Sequence, residues 1–150
     1  MNRVILVLAA GALTLAGATS ALASDQEDIL AVLQQWNDQS SAAATCADDA
    51  AVIDDIPPFE WRGPGACAKW AKDFDGWAQK NGVTDPSGTI DKPKQLVIEK
   101  DRAYVVAPGT FSYTMKGKPV KLSAIAAFSL HKTSAGWKIT SWSWATTKIS

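Results

Sequence analysis

The stretch CADDAAVIDDIPPFEW, from Cys46 to Trp61, holds two acidic pairs, Asp48-Asp49 and Asp54-Asp55, in otherwise apolar surroundings. A carboxyl group in such a setting has one of two uses. Held in an apolar pocket, it moves a proton, because burial lifts its pKa toward neutrality. Left in water, it is a turn residue. Three other side chains could be reactive, namely Cys46, Cys67 and the single histidine, His131. Together they match no recognised metal-ligand spacing. His131 ends a strand-like run beside Lys132, on the face opposite Phe128 and Leu130, and reads as exposed. No nucleophile motif or phosphate loop is present. No metal and no cofactor is expected.

The elements that must position these residues fall into two parts. Ser24-Asp25-Gln26-Glu27 has the form of a capping box. Ile29, Leu30, Val32, Leu33 and Trp36 follow at helical spacing, which predicts a helix from about Asp25 to Ser40. A short helix or turn is expected over Ala42 to Asp48, then a strand over Ala50 to Asp55. Pro57-Pro58 turns the chain, and Phe59 to Arg62 can pair back. Gly63-Pro64 opens a further helix, with proline in its first turn. Cys67, Trp70, Ala71, Phe74, Trp77 and Ala78 form one apolar stripe on it, and its aromatics read as core. Asn81-Gly82 ends it.

After a polar loop, VTDPSG, the period changes to that of strands. Thr89 to Lys100, Arg102 to Lys116, Pro119 to Lys132 and Trp137 to Lys148 are four long candidates. Hairpin-length connections make them an antiparallel meander. Helices followed by a meander give an α+β domain. Phe111, Tyr113 and Met115 share a face, as do Leu122, Ala124, Ala126, Phe128 and Leu130, and these rows should face the helices. On the last strand Trp142 and Trp144 share one face and Ser141 and Ser143 the other. Parity alone leaves open which of the two is inward.

The first 23 residues have a basic start at Arg3, a short apolar run and Ala21-Leu22-Ala23, the pattern of a secretory signal cut after Ala23. A single mature domain of residues 24–150 would follow, exported to the periplasm or the exterior and not inserted in the membrane. In an oxidising compartment Cys46 and Cys67 are expected as a disulfide, with metal ligation or a reactive thiol as alternatives. Closing a loop of about 22 residues would contribute roughly 3 kcal/mol. Acidic and basic residues balance at 15 each, which gives no electrostatic grip on nucleic acid.

The segments CADDAAVIDD and WRGPGACAKWA, with the ending AAFSLHKTSAGWKITSWSWA, resemble the nuclear transport factor 2-like superfamily, in its SnoaL-like and ketosteroid isomerase-like branch. The resemblance implies a cystatin-like cone, in which N-terminal helices pack on a curved antiparallel sheet around a pocket. It implies that Asp54, ending Ala47-Asp48-Asp49-Ala50-Ala51-Val52-Ile53-Asp54, occupies the place of the catalytic base, leaving Asp48, Asp49 and Asp55 as fold residues. The two donors of the steroid isomerases have no counterpart, because their places fall near Ala126 and near Leu30 or Ala31. Losing one such donor costs about 3 to 4 kcal/mol of transition-state stabilisation unless Tyr113, Ser141 or Ser143 substitutes. The expected pocket holds a small apolar or amphipathic molecule between Trp36, Asp54, Phe111, Tyr113, Ala126, Phe128, Ser141 and Ser143. The resemblance also implies a homodimer through the outer sheet face, where Trp142 and Trp144 would sit.

Overall fold

The computed structural model describes residues 16–38 and 41–150. Most of the expected signal segment lies outside the described residues. Helix α1 spans Ala16–Asn37, α2 Ala42–Thr45 and α3 Ala66–Asn81. Seven strands accompany them: β1 Cys46–Ile53, β2 Glu60–Arg62, β3 Val83–Ile90, β4 Gln95–Glu99, β5 Arg102–Met115, β6 Lys118–Thr133 and β7 Gly136–Ile149. They form one sheet in the order β2-β1-β7-β6-β5-β3, with β4 also on β5. All pairings are antiparallel except β1 on β7, which is parallel. The architecture is α+β, with the helices on one face of a curved, unclosed sheet.

Four expectations need correction. Helix α1 does not begin at a Ser24 cap. It runs through Ser24, because the alanine-rich residues before it are good helix formers and nothing breaks them. The VTDPSG segment is not a loop. It is most of β3, hydrogen-bonded to β5 across a bulge between Thr84 and Ser87, where Pro86 needs no ladder donor. The expected strand Thr89 to Lys100 is broken at 91–94, which contains Pro93, so β3 and β4 lie end to end along β5. At α3, Gly65 in a left-handed conformation takes the N-cap position, and Pro64 stands just outside the helix.

Parity on β5 and β6 is as the apolar rows require. Val105, Ala126, Phe128 and Leu130 are fully or almost fully buried on the inner face. On β7 Trp137 and Ile139 point inward, and so do Trp142 and Trp144, although the spacing from Ile139 to Trp142 is odd. A bulge resolves this. Ser141 pairs with Ser129 and Ile139 with Leu130, so Thr140 is an extra residue and the alternation switches there.

Two links fasten the helices. Asp25, only 8% exposed, accepts hydrogen bonds from Lys132 Nζ at 2.5 Å and Trp137 Nε1 at 3.1 Å. These two partners, Lys132 foremost, hold its carboxyl below the usual range. Cys46 and Cys67 form a disulfide that ties β1 to α3.

Small residues on β5 and β6 make room for the indoles of β7. The Trp144 ring reaches across to Gly109, where an added Cβ would lie 2.7 Å from Cζ3 and 2.9 Å from Cη2. Gly109→Val should therefore cost about 1 to 3 kcal/mol by overpacking. The exposed helical Gly76 has open space, and Gly76→Ala should stabilise by about 1 kcal/mol. Urea unfolding of the two variants checks both signs.

Candidate functional site

Asp54 follows the last residue of β1, where the chain leaves the sheet. The turn that comes next contains a cis Pro57–Pro58 bond and brings the Phe59 carbonyl back to the Asp54 amide at 3.2 Å. This closure fixes the Asp54 backbone and turns its side chain toward α3. There Trp70 Nε1 donates to Asp54 Oδ2 at 2.6 Å, and the Asp55 amide donates to Oδ1 at 2.6 Å.

Burial is the main influence on Asp54 and pushes its carboxyl up to about 7. The Trp70 hydrogen bond opposes that rise. The neighbouring Asp55 carboxyl adds to it, by a hydrogen bond and by charge. Asp55 also accepts from the Thr146 hydroxyl, whose oxygen in turn accepts from Trp144 Nε1 at 3.2 Å. Burial, and then the Asp55 charge, push the Tyr113 phenol up.

These groups border a cavity of about 420 Å³ between the helices and the inner face of the sheet. Its walls are aromatic. Trp36 and Asn37 come from α1, Trp70, Phe74 and Trp77 from α3, Phe111 and Tyr113 from β5, and Trp142 and Trp144 from β7. Some rings stand at steep angles, Trp70 and Trp142 at 86° and Trp77 and Tyr113 at 83°, and others are tilted, Phe74 and Trp77 at 37°. Edge-to-face pairs of this kind suit the ring quadrupoles and brace the walls. Among the described residues, three buried polar atoms on the cavity-lining side chains have no protein partner, namely Trp36 Nε1, Asn37 Oδ1 and Trp142 Nε1.

Of the expected pocket residues, Trp36, Asp54, Phe111 and Tyr113 lie on this cavity. Ala126 and Phe128 do not reach it. Both are 0% exposed and form the packed layer beside it. Ser141 and Ser143 sit on the opposite side of β7, because the Thr140 bulge turns that row outward, and they supply no donor here. The same bulge removes Trp142 and Trp144 from the outer face. They are cavity walls, not surface tryptophans.

Residues expected elsewhere join the site. Asp55 is at the cavity, not a plain turn residue, and the α3 aromatics are wall as well as core. The signal for Trp70, Phe74 and Trp77 was their helical spacing, which places three rings on one face. Nothing in the sequence aimed that face at Asp54. His131 is partly shielded and 3.0 Å from Asp101 Oδ2, away from the cavity. No group of acidic, histidine or cysteine side chains among the described residues is arranged to hold a metal ion.

No protein-family model matches the sequence, and none of the curated proteins matches it either. Solved structures do. A nuclear transport factor 2-like protein with a cystatin-like fold from Novosphingobium aromaticivorans superposes with a TM-score of 0.72 at 15% identity, covering 91% of each chain. A ketosteroid isomerase-like protein from Erwinia carotovora atroseptica gives 0.62 at 20% identity, over 85% of this chain and 96% of that one. A hexachlorocyclohexane dehydrochlorinase gives 0.61 at 12% identity, over 89% and 88%. The chain therefore has the nuclear transport factor 2-like fold. At these identities the likeness extends to the fold alone.

The raised carboxyl has a consequence for stability. A folded-state pKa of about 7 against an unfolded value of about 3.9 means that the native state holds the proton more tightly between those limits. The Asp54 contribution to stability should therefore fall as pH rises from about 4 to about 7. Asp54→Asn should lose that part of the pH dependence and gain most over the parent chain at about pH 8. Urea unfolding of both proteins across this range reads the difference, in which titrating groups that do not touch Asp54 cancel.

Proposed function

We propose that this chain is an exported binding protein for a small apolar or amphipathic molecule, held in the cavity beside Asp54. One observation carries the reading: a concave, aromatic-walled space of about 420 Å³ has a lone pair of acids at its border. That size and that mixture of apolar wall with few polar groups suit small-molecule sites. A raised carboxyl is a natural polar anchor, since near neutrality it can donate or accept.

Proton-transfer chemistry is a second reading of the same site. A base whose pKa lies near the working pH is the most efficient at taking a proton from carbon. Two structural neighbours favour this reading by what they are called, a ketosteroid isomerase-like protein and a dehydrochlorinase. Tyr113 would be the enolate donor, since Ala126 offers none and helix α1 carries no tyrosine.

A non-catalytic dimeric module is a third reading. Its support is now the exposed outer face of the sheet, where Val97, Tyr104 and Ile125 are 48%, 43% and 36% exposed. Export is supported by the segment 1–23 and by the disulfide between β1 and α3.

Gly88 lies on the edge strand β3 beside Phe111 and borders the cavity. Gly88→Leu should fill part of the space and weaken binding of the neutral fluorophore phenylnaphthylamine by about tenfold, with the fold intact by circular dichroism. A parent protein that does not enhance the fluorophore's emission would sink the binding reading. Expression in a bacterial host should give a periplasmic protein beginning at Ser24, read by intact mass, and an uncleaved cytoplasmic product would overturn export.

A further inference from the structure

The charge lining the cavity has one sign. Asp54 and Asp55 are acidic, and among the described residues no lysine, arginine or histidine lines the cavity. The rest of the wall is mostly aromatic, and aromatic faces carry negative quadrupole potential. Both features favour a cation and disfavour an anion. They also occur together in space. Tyr113 feels the Asp55 charge, Trp77 packs against Tyr113 at 6.1 Å between centroids, and Trp144 is joined to Asp55 through Thr146.

We infer that the cavity takes an amphipathic organic cation, a tertiary or quaternary ammonium on an apolar body, with its charge among Trp77, Tyr113 and Trp144 and facing Asp55 and Asp54. Such a group is poorly hydrated, so it gives up little on entering an aromatic enclosure, and ring faces attract it there. The steep angles between rings give it walls on several sides. The unpartnered acceptor Asn37 Oδ1 borders the same space. The two unpartnered indole N–H groups, on Trp36 and Trp142, are uncharged dipoles and do not reverse the sign set by two carboxylates.

The assignment rests on the binding reading and narrows it. It also sets a pH signature. The titratable groups facing Asp54 are Asp55, from the same turn, and Tyr113, from β5. The lining residues of α1, α3 and β7 contribute none. A cation favours the ionised form of Asp54, so its affinity should rise with pH through about 7. A neutral ligand should show no such rise.

The test compares benzyltrimethylammonium with its neutral isostere neopentylbenzene and with the anion phenylacetate, by calorimetry and by tryptophan fluorescence. At about pH 8 the cation should bind about tenfold or more tighter than the isostere, and phenylacetate weakest. Cation affinity should drop at about pH 6, while that of the isostere should not. Asp55→Asn should reduce the preference and move the pH rise downward, because Asp54 loses a neighbouring charge, and should keep isostere binding, and Trp144→Leu should weaken the cation more than the isostere. Equal or tighter binding of the neutral isostere at both pH values would overturn the cation assignment and leave the binding reading standing. Failure of all three probes would overturn the cation assignment whatever phenylnaphthylamine does, and phenylnaphthylamine binding then decides whether the binding reading stands. If Asp55→Asn fails to fold, the cation-to-isostere ratio in the parent protein decides alone.

Discussion

One inserted residue governs how this chain uses its tryptophans. Without the bulge at Thr140, β7 would keep strict alternation. Trp137 and Ile139 would then be inward and Trp142 and Trp144 outward, and the sheet would carry two exposed indoles over a shallow inner face. With it, both pairs turn inward. Trp142 fills the middle of the core against Trp36 and Trp70, and Trp144 crosses to Gly109. Gly109 of β5 is complementary to this arrangement, because a side chain there would collide with the Trp144 ring.

Asp54 is then partly enclosed by consequence, while Asp55 stays exposed at the border. Asp54 leaves β1 beside β7, whose parallel pairing sets Val52 next to Trp142. The indole of Trp70 meets its carboxyl from the other side. A carboxyl so placed has lost most of its water and kept only one side-chain N–H donor, so its neutral form gains. Hydrogen bonds from the Trp70 indole and the Asp55 amide do not offset desolvation together with a second carboxyl alongside. The same enclosure that forms the core also sets the acid-base character of the site.

Much of the fold was legible. Helical spacing located the helices, strict alternation located the inner rows of β5 and β6, and the hairpin lengths ordered the last three strands. What escaped was decided by tertiary pairing. Val83 to Gly88 has loop chemistry, with Asp85, Pro86 and Gly88, and is a strand only because β5 offers it an open edge. The parallel partnership of β1 and β7 joins segments nearly a hundred residues apart, and no local pattern encodes it. The site was half legible. Asp54, Trp36, Phe111 and Tyr113 followed from motif and parity. Trp142 and Trp144 were set on the outer face by the dimer that the resemblance implied, and parity could not decide across an unseen bulge, although the uneven spacing of Trp137, Ile139, Trp142 and Trp144 was its trace. Asp55 was missed because a turn residue gives no sign of what its side chain will meet.

The free borders of the sheet are blunt on both sides. At one end β2 has three residues. At the other, the chain is cut into β3 and β4 by the interruption that contains Pro93, and β3 itself is bent at Pro86. Neither border presents a long straight row of unpaired amides, so a foreign strand has little to zip onto. A protein that unfolds part of its rim in a crowded compartment is thereby guarded against growing into fibres, and any pairing between copies is left to flat surfaces of side chains.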